Sequence, residues 1–71
     1  MGAEWPATRA DRVLAALLRI GWVIARQRGS HRHLIRPVFA PVTFAFHGGD
    51  EIGSVMLGKI AKQTGLRPED L

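Results

Sequence analysis

The sequence contains no cysteine and no tyrosine. Without thiols there are no disulfides, thiolate metal ligands or cysteine nucleophiles, and nothing requires an oxidising compartment. Acidic side chains are absent from the whole stretch between Asp11 and Asp50. No apolar run reaches the roughly 20 residues needed to cross a bilayer, and Glu4 stands where a secretory leader would be basic. These absences predict a cytoplasmic protein with no membrane segment and no covalent staples. A chain of 71 residues has room for one domain, 1–71, with a modest core and no deep pocket.

Arginine fills the acid-free stretch. Arg26, Arg28, Arg32 and Arg36 lie there, and only Lys59 and Lys62 among the cations are lysine. The planar guanidinium matches phosphate and stacks on bases, so this placement favours a nucleic-acid partner over a merely solubilising surface. The densest segment is Arg26-Gln27-Arg28-Gly29-Ser30-His31-Arg32-His33, where a turn signal, the basic charge and two of the three imidazoles coincide.

Residues 1–7, with Trp5-Pro6, lack periodicity and read as a short arm. Thr8 suits an N-cap, with Asp11 three residues on in a capping-box position. Val13, Leu14, Leu17 and Leu18 fall at helical spacing over residues 9–20, and Gly21 suits the residue that ends the helix. Residues 22–27 read as a strand with Trp22 and Ile24 on one face, Trp22 serving the core. Gly29-Ser30 then turns the chain into a second strand over residues 31–36. There His31, His33 and Ile35 point one way and Arg32, Leu34 and Arg36 the other. Neither face is purely apolar, so the pattern alone does not fix the register.

Pro37 closes that strand, and Val42, Phe44 and Phe46 form an apolar row in a third. Residues 47–51 read as a loop. A second helix over residues 55–64, introduced by Gly53-Ser54, has Leu57, Ile60, Ala61 and Thr64 on one side and Lys59, Lys62 and Gln63 outward. Gly65 ends it, and residues 66–71 form one further turn with an acidic tip. The predicted order, helix, three strands, helix, is an α+β layer: a three-stranded antiparallel sheet with both helices on one face.

Taken alone, His31 reads as a strand-start histidine bonded to the backbone, His33 as a sheet residue that could also assist or bind phosphate, and His47 as a turn residue. His31-x-His33 with His47 or Asp50 invites a metal reading, but no further ligand cluster and no thiolate supports it. Ser30 lacks the spaced base and acid of an activated nucleophile, and Gly48-Gly49 matches no phosphate-cradling motif.

Several segments carry a family likeness: Gly21-Trp22-Val23, Arg26-Gln27-Arg28-Gly29-Ser30-His31, Val42-Thr43 with the His47-Gly48 loop, and Leu57 to Ile60 running into Lys62-Gln63-Thr64-Gly65-Leu66. Together they closely resemble the HicA toxins of bacterial HicA/HicB toxin–antitoxin modules. The resemblance implies a fold similar to double-stranded-RNA-binding domains, with the order α-β-β-β-α. It also implies ribonuclease action on messenger RNA, a catalytic histidine at His31, a turn shaped by Gly29 and Ser30, and a HicB-type antitoxin that covers the basic surface.

The chain departs from the family pattern at two places. Arg32 replaces a second histidine directly after the first, and Val55-Met56-Leu57-Gly58 replaces a Gly-Thr-Leu-Arg helix opening. On this reading the protein is an mRNA interferase that needs no metal or cofactor. His31 serves as general acid/base, and RNA is held by Arg26, Arg28, Ser30, Arg32, Arg36, Lys59 and Lys62. The alternative is a non-catalytic RNA-binding module of the same fold, which lacks only the proton chemistry.

Overall fold

The computed structural model describes residues 5–47 and 49–71; the first four residues of the expected arm, and Gly48 of the expected loop, lie outside it. In chain order the elements are β1 (Thr8–Arg9), α1 (Ala10–Arg19), β2 (Val23–Arg28), β3 (His31–Ile35), β4 (Val42–Ala45), β5 (Glu51–Ile52) and α2 (Ser54–Thr64), followed by a 3-10 turn (Pro68–Asp70). Strands β2, β3 and β4 form an antiparallel sheet in that order, and β1 pairs with β5 in a separate two-stranded ribbon. The architecture is α+β, with the α-β-β-β-α order of a double-stranded-RNA-binding domain and the small ribbon added to it.

Helix α1 buries Ala10, Val13, Ala16 and Leu17, while Leu18 is more exposed than its spacing suggests. Its end follows from Gly21, whose φ of 110° places it in a region that side chains disfavour. There the Trp22 N–H reaches the Leu17 carbonyl and the Gly21 N–H the Leu18 carbonyl, the paired bonds of a Schellman stop.

The start of α1 differs from expectation. Thr8 is not the cap: its hydroxyl donates to the Pro6 carbonyl at 2.7 Å, and the capping position falls to Arg9, which has no side-chain cap bond. The reason is the ribbon. Pairing of Thr8 with Ile52 and Arg9 with Glu51 holds this segment extended, and the Asp50 carbonyl accepts the Ala10 N–H at 2.8 Å. Glu51 is therefore in a strand rather than the loop expected over residues 47–51. Trp5, expected in a featureless arm, is half-buried and packs against the core.

Trp22 joins the two layers. It is fully buried, its indole N–H donates to the Thr64 carbonyl at 3.1 Å, and Phe39 meets it edge-on with ring centroids 5.3 Å apart. That bond satisfies the one polar group a buried indole carries. Around it Leu34, Val42 and Phe46 from the sheet side form one cluster with Leu17, Leu57 and Ile60 from the helices. The helices thus share one face of the sheet, whereas Val23, His31 and Ile35 on the other face are open to solvent. Helix α2 ends as expected at Gly65, with φ at 77°.

Between β3 and β4 the Phe39 N–H bonds to the Arg36 carbonyl at 3.2 Å, closing a turn with Pro37 second and Val38 third. Val38 has φ at 64°, the left-handed value that a type II turn requires at this position and that glycine or asparagine normally supplies. A β-branched side chain is strained there, and Val38 buries nothing in return. Val38→Gly should stabilise the fold by about 1 kcal/mol, raising the thermal midpoint by roughly 5 °C. A lowered midpoint in a calorimetric scan would contradict the strain.

Candidate functional site

The site depends on the phase of β2. Continuous alternation from Trp22 and Ile24 would put Arg26 and Arg28 on the core side with them. Instead Ile24 pairs with Leu34 and Arg26 pairs with His33, leaving Ala25 as an extra residue in a β-bulge. The bulge keeps Ile24 over the helices and sends Arg26 and Arg28 to the open face. There Arg26 lies opposite His33 and Arg28 opposite His31, and on the far side of β3 Thr43 lies opposite His33 and Ala45 opposite His31. Ala25, Arg26, Arg28, His31, His33 and Thr43 line one shallow groove of about 510 Å³.

Within the groove His33 is half-buried, and its Nδ1 lies 2.8 Å from Thr43 Oγ1. His31 is exposed, and among the described residues its ring forms no hydrogen bond, so the backbone-bonded reading of this histidine is not what the structure holds. The Arg28–His31 pairing leaves Gly29 and Ser30 as a two-residue connection. Positive φ at Gly29, 57°, and not at Ser30 is the pattern of a type II′ hairpin turn, which right-handed strand twist favours. The Ser30 carbonyl accepts the Phe46 N–H at 2.8 Å, and its hydroxyl lies 3.5 Å from His47 Nε2.

The remaining expected RNA contacts are not gathered here. Arg32 lies across from Gln27 and Phe44, on the side of the sheet that faces the helices, and donates to the Gly29 carbonyl at 2.8 Å. Arg36 stands 4.8 Å above the Phe39 ring and beside Gly21, so its guanidinium is engaged in packing. Lys59 and Lys62 are on α2, where they line a separate hollow of about 610 Å³ with Trp5 and Arg67. His33 and Thr43 are the additions. The first was legible from its two-residue spacing to His31; the second depends on the pairing of β3 with β4, for which the sequence has no local signal.

Charge completes the site. Ion pairs among the described residues join Arg9 to Asp11 and Arg67 to Glu69, both exposed, where such pairs contribute little, and Arg67 to the partly covered Asp70. Arg26 and Arg28 have no acidic partner among them. Neighbouring guanidiniums without a counter-charge attract anions, and a row of them along a strand suits a polyanion. Among the described residues no three of His, Cys, Asp or Glu form a metal-holding group, and no helix is long and apolar enough to cross a membrane.

Fold and site together define a class: a small α+β fold of double-stranded-RNA-binding-domain order, with a cationic, histidine-bearing groove on its open sheet face. The family model described as the HicA toxin of bacterial toxin–antitoxin systems matches residues 10–66, and the chain belongs to that family. Its role is that of the toxin in a toxin–antitoxin pair, and its partner is a cognate antitoxin. The matched span includes every residue that lines the groove. Among curated proteins, none matches the chain.

The turn at Gly29 is open to a simple check. A Cβ there would meet nothing within 4 Å, so any cost of substitution comes from the backbone alone. Gly29→Ala should destabilise the fold by about 1–3 kcal/mol in urea unfolding. An unchanged midpoint would contradict the positive φ at Gly29.

Proposed function

We propose that this toxin is a metal-independent endoribonuclease acting on messenger RNA in the cytoplasm, with His31 as general acid/base. The observation that carries the reading is an exposed imidazole in the same groove as two guanidiniums that have no acidic partner among the described residues. Arg26 and Arg28 hold the scissile phosphate and offset the charge that builds on it as the transition state forms. The ribose 2′-hydroxyl supplies the nucleophile, so the protein needs no nucleophile or metal of its own. Proton transfer by a positioned histidine typically contributes about 10² to 10⁴ in rate.

Other residues take supporting parts in this reading. Ser30, at the tip of the hairpin, can donate to a neighbouring phosphate, and Arg32 holds the turn through the Gly29 carbonyl. Arg36, Lys59 and Lys62 lie outside the groove and have no part in gripping the scissile phosphate. A HicB-type antitoxin silences the enzyme by covering the open sheet face.

The test is incubation with long single-stranded RNA in excess EDTA, parent beside His31→Ala. Cleavage by the parent, reduced about 10²-fold or more in the variant while RNA affinity changes by less than roughly threefold, is the expected result. Binding without cleavage by either protein would overturn the reading in favour of a non-catalytic RNA-binding module.

A further inference from the structure

We propose that His33 is the second proton-transfer group of the groove, a catalytic residue paired with His31 and positioned by Thr43. The proposal rests on the ribonuclease reading above and goes beyond it by naming the group that serves the leaving oxygen. Cleavage through the 2′-hydroxyl requires two proton transfers, one at each end of an in-line displacement. Residues i and i+2 of a strand point the same way about 7 Å apart, so a phosphate can lie between their rings. His31 and His33 stand in that relation and line the same groove, with Arg28 and Arg26 respectively across from them.

The hydrogen bond of His33 selects the atom that does the work. Nδ1 lies 2.8 Å from Thr43 Oγ1, and in the imidazolium, the form a general acid needs, Nδ1–H donates to that oxygen while Nε2–H carries the transferable proton. An imidazolium donates from both nitrogens; Thr43 takes one donor, and Nε2–H remains for the substrate. This arrangement suits His33 for general acid and leaves His31, whose ring has no hydrogen bond among the described residues, as general base. His47 has no comparable place: its Nε2 is directed to Ser30 and it does not line this groove.

The step balances without a co-reactant. His31 accepts the 2′-hydroxyl proton as the O2′–P bond forms; the P–O5′ bond breaks as His33 Nε2 delivers its proton to O5′. The products are a 2′,3′-cyclic phosphate and a free 5′-hydroxyl, and both imidazoles return to their starting protonation by exchange with water.

A sulfur leaving group needs no general acid, so the test compares ordinary RNA with RNA carrying a 5′-bridging phosphorothiolate at one cleaved position. His33→Ala should lose about 10²-fold on ordinary RNA and less than roughly threefold on the sulfur substrate, whereas His31→Ala loses activity on both. His33→Gln, of similar size, should repeat the His33→Ala pattern if truncation disturbs the sheet. Thr43→Val should show a smaller loss, again absent on the sulfur substrate, and Thr43→Ser should restore it. Full activity of His33→Ala on ordinary RNA, or a defect that persists on the sulfur substrate, would overturn the pairing while leaving the ribonuclease reading intact. A parent protein that cleaves neither substrate would overturn both.

Discussion

The β-bulge at Ala25 is the constraint on which the groove depends. A strand offers only two faces, and β2 has to supply Ile24 to the core and two arginines to solvent within five residues. Odd and even positions cannot meet both demands in a regular strand, because Ile24, Arg26 and Arg28 are all even. One extra residue changes the parity between Ile24 and Arg26, so that the same short strand serves the core at its beginning and the groove at its end. Pairing with β3 then sets each arginine beside one histidine.

Beneath the groove the sheet is packed directly on the helices. Leu34, between His33 and Ile35, is fully buried and ties the histidine strand to both helices. The Trp22 bond to Thr64 clamps the entry of β2 against the end of α2. Two of the arginines in the acid-free stretch serve this framework rather than the groove: Arg32 holds the turn carbonyl and Arg36 covers Phe39 and Gly21. Such uses exploit the long stem and fixed donor geometry of arginine as much as its charge. Of the four arginines between residues 26 and 36, Arg26 and Arg28 thus line the open face while Arg32 and Arg36 belong to the framework.

Much of this was legible in the sequence, wherever the signal is local. The stop at Gly21, the Gly29-Ser30 hairpin, the apolar row Val42, Phe44 and Phe46, and the apolar side of α2 each follow from a glycine or from a short periodic run. The alternation of residues 31–36 likewise separates His31 and His33 from Arg32 and Leu34. The bulge was not legible, since neither glycine nor proline marks Ala25, and the demand for it comes from what β3 places opposite. The ribbon of β1 and β5 was missed because two residues per strand are too few to show a period, and their partnership spans most of the chain. Thr8 has the chemistry of a cap, but a carbonyl from distant Asp50 occupies that role. Nearness to His31 in sequence likewise does not show which arginines share its groove: Arg26 and Arg28 do, whereas Arg32 lies on the helix side of the sheet and Arg36 packs on Phe39.

If this toxin is the ribonuclease proposed above, RNA meets the open face of the sheet and not the helix layer. The most direct measurement is an NMR titration of the ¹⁵N-labelled protein with a short 2′-O-methyl RNA, which binds but cannot be cleaved through its 2′ oxygen. Shifts centred on Arg26, Arg28, His31, His33 and Thr43, with Lys59 and Lys62 unmoved, are the predicted result. Shifts centred on α2 and the hollow beside Trp5, with the sheet face unmoved, would place RNA on the helix layer and rule out the groove as its binding site.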